Sequence, residues 1–119
     1  MERIHFLHHY TFQTIENALD KVTAISGYTF DWDEELCKSL GFEPALIHEH
    51  GVKAQEIQAV IPDAVSIAPF DADHDDAGNE ISKSGENYLT VRYERLVPLL
   101  IEAIKALKVE IEQLKKGNV

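Results

Sequence analysis

"YERLVPLLIEAIKALKVEIEQLKK", Tyr93 to Lys116, carries an apolar period without a break. Tyr93, Val97, Leu100, Ile104, Leu107, Ile111 and Leu114 follow one another at spacings of 4, 3, 4, 3, 4 and 3. That is a heptad seam, with Val97, Ile104 and Ile111 at a and with Tyr93, Leu100, Leu107 and Leu114 at d. Glu110 at g and Lys115 at the following e stand where an ion pair between neighbouring chains would form. Leu96, Leu99 and Ile101 widen the apolar face near its start, which predicts packing there on the chain's own globular body. Pro98 falls early, where a helix tolerates it.

A helix over about residues 93–116 would be about 36 Å long at 1.5 Å per residue, so its last turns should project beyond a small body. Burying five such side chains is worth on the order of 10 kcal/mol, at about 1.5–3 each, before ordering entropy is subtracted. A small domain has a net stability of only about 5–15 kcal/mol. A wet stripe of that size is a poor arrangement, and self-association is the stronger reading. The alternative is an ordinary amphipathic helix lying on a monomeric core. Ile at a with Leu at d formally favours two strands, although attached domains can override so short a seam.

Working outward, "YLTV" from Tyr88 reads as a strand, and Pro69 to Asn87 reads as polar loop. In that loop six acids (Asp71, Asp73, Asp75, Asp76, Glu80 and Glu86) face one base, Lys83. In "GVKAQEIQAVIPDAVSI" a helical turn around Glu56 to Val60 is ended by Pro62, and a strand begins at Val65. Pro44 to His50 is expected to be loop. "DEELCKSLGF" predicts a short helix closed by Gly41, and "YTFDW" a half-buried strand with Tyr28, Phe30 and Trp32 on one face. "TIENALDKV" predicts a helix capped by Thr14, with Glu16 in its first turn, Ile15, Leu19 and Val22 inward, and Gly27 as its stop. Residues 1–13 have no clean period and read as an arm, foreign to the domain or diverged from it. Short elements of both kinds, mixed irregularly, give an α+β fold.

At 119 residues this is one domain with a modest core. The formal charge of -10 excludes nucleic acid and anionic membrane as natural partners, since both would repel it. No apolar run approaches the roughly 18 residues that span a bilayer. "MERIHFLHHYTFQ" lacks a continuous apolar core, so no signal peptide is expected and synthesis is read as cytoplasmic. Cys37 is alone, which excludes an internal disulfide and a CxxC site.

Three stretches are specific together: "TIENALDKVTAISGYTFDW", "GVKAQEIQAVIPDAV" and "ENYLTVRYERLVPLLIEAIKALKVEIEQLK". In this order and spacing the chain resembles the C-terminal intramolecular chaperone domain of bacteriophage endosialidases, tailspikes and tail fibres, over about residues 14 to 116. The resemblance implies that residues 14–119 are the chaperone domain and that its terminal helix forms a three-stranded bundle. It also implies that the homotrimer nucleates assembly of an upstream fibre chain, its folding client, in the bacterial host cytoplasm. The resemblance, rather than the heptad, is the ground for three chains instead of two. It implies self-cleavage as well, by a Ser nucleophile and a Lys base near the N-terminal border.

Here the pattern breaks. Ile4 falls where the Ser belongs and His9 where the Lys belongs; residues 1–22 contain no Ser, and their Lys, Lys21, lies inside the first helix. His5, His8 and His9 could offer a base but have no nucleophile beside them. The expectation is a proteolytically silent chaperone, attached to its client or acting in trans, with no catalytic residues. The competing readings are an active self-processing Ser–Lys peptidase and a permanent fibre tip, retained in the virion, that binds a host receptor.

Other constellations are weaker. Asp71, Asp73 and Asp75 start a calcium-loop spacing, but the sixth position is Asp76 instead of Gly and the twelfth is Ser82 instead of Glu. A solvated acidic loop is the better reading. His8 and His9, and His48 and His50, lack helical i, i+4 pairing and read as surface residues. Trp32 and Tyr28 are expected on the strand face rather than as a sugar platform. Gln55 and Glu56 recur in the family's "AQE" stretch and read as structural, at a domain contact. No metal and no cofactor are expected.

Overall fold

The computed structural model describes residues 11–117. Residues 11–17 form no regular element, and the first helix, α1, spans Ala18–Thr23. It starts later than Thr14 predicts because Asn17 takes a left-handed backbone (φ 55°), which breaks the helical path ahead of Ala18. Thr14 therefore caps nothing and Glu16 precedes the helix. Ile15, Leu19 and Val22 do turn inward, packing around Ala18, Leu99 and Ala103. The helix ends at Thr23, three residues short of Gly27 once Ala24 has closed it.

Strand β1, Tyr28–Asp31, pairs antiparallel with β2, His48–Gly51. The second strand corrects the loop expected over Pro44 to His50. "HEHG" has no strand propensity of its own and is extended because β1 supplies its ladder. Between them α2, Glu34–Ser39, is capped by Asp33, whose carboxylate accepts from Leu36 N–H at 3.1 Å. At its other end Gly41 (φ 71°) turns the chain back: Gly41 N–H donates to the Lys38 carbonyl and Phe42 N–H to the Cys37 carbonyl. This double bond pattern satisfies the open carbonyls of the last turn and explains the glycine.

Helix α3, Ala54–Val60, buries Ile57 completely and breaks before Pro62, which opens a 3₁₀ turn over Pro62–Ala64. Strand β3, Val65–Ile67, pairs antiparallel with β6, Leu89–Val91. Between them the expected loop is instead a hairpin, β4 (Ala72–His74) with β5 (Glu80–Ser82). Its charged residues conceal it from a hydrophobic pattern. Among the described residues there are three sheets, each of two strands.

A 3₁₀ turn, Tyr93–Arg95, leads into α4, Leu96–Gly117. Pro98 is its third residue, where the missing N–H has no intrahelical acceptor in any case. Among the described residues two small clusters form the core. One joins Leu99 and Ala103 to α1, and the other joins Leu96 to Ile57 and Ala64. Among the described residues only Ile57 and Leu99 are large side chains shut off completely from solvent. The radius of gyration is 18.9 Å, against about 13–14 Å for a compact chain of this length. The single chain is thus thinly packed and elongated. The fold is α+β, as the sequence predicts.

Candidate assembly interface

The seam is built on the part of α4 that the body leaves bare. Val97 is 53% exposed, Leu100 44%, Ile104 67%, Leu107 45%, Ile111 44% and Leu114 67%. From Leu107 to Gly117 every residue is exposed. The buried residues of this helix, Leu96, Leu99 and Ala103, occupy other positions of the same heptad, g and c. At about 100° per residue the centre of that buried face lies about 110° around the helix from the a/d seam. One face is therefore spent on the body while the other keeps its apolar side chains in water.

Two residues depart from the sequence expectation. The sequence groups Ile101 with Leu96 and Leu99 as core-facing, yet it is 51% exposed. It occupies an e position, on the far flank of the seam from the body, so it cannot share their face. Tyr93 lies in the 3₁₀ turn ahead of the helix, and its hydroxyl accepts from Val52 N–H at 3.2 Å while its ring remains 52% exposed. A Cβ on Gly51 would lie 2.8 Å from that hydroxyl and 3.0 Å from the Phe30 ring, so a side chain there would have to push the tip of Tyr93 aside. Glu110 and Lys115 are both exposed, and neither joins an ion pair among the described residues. Neighbouring charges do pair along the helix, Lys105 with Glu102 at 3.4 Å and Lys108 with Glu112 at 3.9 Å.

Behind this bare face, polar contacts brace the body. The half-buried Glu56 accepts from Tyr28 O–H at 2.6 Å and from Ser26 N–H at 3.1 Å, tying α3 to β1, whereas Gln55 beside it is exposed. Asp71 is the one buried charged side chain among the described residues, 2% exposed. Its carboxylate accepts from Ser82 O–H, Ser84 N–H and Tyr88 N–H, locking the hairpin to the return strand. The Ser82 hydrogen bond, followed by the others, holds its pKa below the usual 3.8 against the opposing effect of burial. At the hairpin tip Asp75 accepts from Asn79 N–H at 2.9 Å and Ala77 N–H at 3.0 Å. Its pKa is likewise lowered, chiefly by Asn79. Asp71 and Asp75, two of the three carboxylates of the calcium spacing, thus serve separate local tasks.

His48 Nδ1 meets the Asp31 carboxylate at 2.6 Å on an exposed surface. Among the described residues no group of three or more His, Cys, Asp or Glu side chains converges to hold a metal ion. Cys37 is buried. Ile4, His5, His8 and His9 lie outside the described residues, and Lys21 sits half-buried on α1. Sequence reasoning missed a row of aromatic rings, each within 6 Å of the next: Phe30, Trp32, Phe42, Phe70 and Tyr88. Phe30 and Trp32 share the strand face that the alternation predicts, but Phe42, Phe70 and Tyr88 come from other segments, so no local period could join them to it.

Comparison with known proteins places this arrangement. Residues 10–66 match the family model described as chaperone of endosialidase. The long tail fiber protein Gp37 of Enterobacteria phage K3 is 36% identical over 104 residues, which is 87% of this chain and 7% of that protein. Its counterpart in Enterobacteria phage T2 gives the same identity and covers 6% of its own length. The Gp37 protein of Enterobacteria phage M1 is 30% identical over 102 residues, 34% of its length. The chain thus spans only a small part of the curated relatives it matches. The matched stretch holds the body from α1 to the start of β3, and the alignments with the fibre proteins extend over most of the chain. Over residues 10–66, just under half of its length, the chain is thus similar to the chaperone-of-endosialidase family.

Proposed function

We propose that the chain is a trimerising chaperone for a phage tail fibre or tailspike and that it works without cutting itself. The observation that carries this reading is the bare a/d seam of α4, six helical residues each at least 44% exposed on a chain with little other core. The family match over residues 10–66 and the tail-fibre relatives support a role in assembly.

The mechanism follows from chain statistics. Fibre stalks are stabilised by contacts between chains, which reward nothing until three chains are in register. A seam that closes early makes that encounter effectively intramolecular, at local concentrations of about millimolar. Register set by Val97, Ile104 and Ile111 at a can then pass through the body to the client. The client binds in the host cytoplasm as the particle is built, and proteolytic silence rests on Ile4 and His9 standing where the family's Ser and Lys belong.

The test joins the chain to a tail-fibre stalk segment and compares it with Leu107→Asp in the same fusion. The reading predicts soluble trimeric stalk from the parent, aggregated stalk from the variant, and an uncut mass for both by mass spectrometry. Equal yields of trimeric stalk from the two would overturn the chaperone role, and a time-dependent cut near the N-terminal border would overturn the silence.

A further inference from the structure

Three sectors divide the first turns of α4. From Leu96 to Ala106 every residue is apolar except Glu102 and Lys105, a composition that suits a helix covered on all sides. The a/d seam takes one sector, and the body, on Leu96, Leu99 and Ala103, takes a second. Pro98, Ile101, Glu102 and Lys105 make the third, centred about 120° around the helix from the seam on the side away from the body. Glu102 and Lys105 pair with each other at 3.4 Å. Pro98 and Ile101, both exposed, are left as the apolar floor of this sector.

A hollow of about 380 Å³ lies over that floor, with residues 12–15 as one wall and the four helix residues as the other. Ile15 fixes the first wall, since it packs on the cluster of Ala18, Leu99 and Ala103. The body thus reaches the edge of the third sector and stops there. Residues 1–10 lie outside the described residues and join this wall through Thr11. They bring four apolar or aromatic side chains besides Met1, namely Ile4, Phe6, Leu7 and Tyr10. Ten residues can span up to about 33–36 Å, and the hollow begins at Phe12, next to the point where they attach.

From these facts we infer that the N-terminal arm closes the hollow of its own copy, setting Phe6, Leu7 and Tyr10 against Pro98 and Ile101. The point of attachment selects this occupant: a segment of another copy would have to enter past the arm's own exit. The contact does not need the bundle, but its consequence rests on the proposed function. A client joined to the arm would be held directly on the helix whose seam sets the register, and not through the body alone. Seam, body and arm would then cover the three sectors of the first turns, and the exposed Ile101 gains a partner.

The test is limited chymotrypsin digestion of the full chain, with cuts after Phe6, Leu7 and Tyr10 followed by mass spectrometry. Ile101→Asp should be cut there about tenfold faster than the parent, because cleavage follows the population of the open form. The dispersed Leu107→Asp variant should be cut as slowly as the parent, since the cover comes from the same copy. Equal rates for the parent and Ile101→Asp overturn the contact. Fast cutting of Leu107→Asp overturns it too, by showing that a neighbouring copy supplies the cover. A parent that sediments as a monomer and still protects the arm supports the contact while the seam reading fails. A second measurement needs no substitution: magnetisation transfer from the Ile101 methyl groups to the rings of Phe6 or Tyr10 is expected by NMR, and its absence overturns the contact.

Discussion

The first two turns of α4 and its last three carry similar side chains in opposite surroundings. Leu96 and Leu99 are buried against the body, whereas Ile111 and Leu114 stand in water. The first pair is held by tertiary packing. The second has only helix propensity and ion pairs such as Lys108 with Glu112, each worth about 0.2–0.5 kcal/mol. Isolated helices shorter than about 12–15 residues are marginal in water. The two halves are thus held differently: the fold stabilises one, and the other, under the proposed reading, awaits association.

Breaking the distal half alone is the sharpest way to separate them. Leu107→Asp removes about 1.5–3 kcal/mol of burial per copy and places like charges at one level of the seam. It should convert the oligomer to protomers in sedimentation velocity and fray α4 beyond the body, with the body still folded. Leu99→Ala strikes the other half. Leu99 is completely buried, and its truncation should cost about 2–5 kcal/mol, seen as a lower denaturant midpoint for body and oligomer together.

Acid should act on the body before the seam. Asp71 and Asp75 have folded-state pKa values below 3.8. The unfolded chain therefore takes up their protons first as pH falls. Their contribution is fully present above about pH 4 and is lost as pH drops through the folded values. Hydrogen exchange should show the β4–β5 hairpin opening in that window, and Asp71→Asn should weaken the hairpin already at neutral pH. A smaller effect is expected of Glu56→Gln, which weakens the bonds from Tyr28 and Ser26 by about 1 kcal/mol. Smallest is the Glu110–Lys115 pair. A double-mutant cycle on association should give about 0.2–1 kcal/mol, falling as salt rises.

The seam residues and the mixed fold class were legible because the heptad repeats over many turns and needs no tertiary information. The closing glycine of α2 and the Pro62 break were legible for a similar reason, since each acts on its own neighbours. What escaped depends on distant partners. "HEHG" becomes a strand only beside β1, and the Asp71 hairpin is knit by Ser82, Ser84 and Tyr88 rather than by an apolar pattern. Asn17 moved the start of α1 through its backbone conformation, which a capping pattern does not report. Ile101 was misplaced because an apolar residue near two core residues looks like a third until its angle around the helix is counted.

The central claim is that sister chains cover the bare face of α4. Light scattering with sedimentation equilibrium on the chain at micromolar dilution tests it most directly. The expected mass is three times 13.4 kDa, with helix content that falls only when the assembly is diluted apart. A well-folded species of 13.4 kDa with α4 fully helical under the same conditions would contradict it.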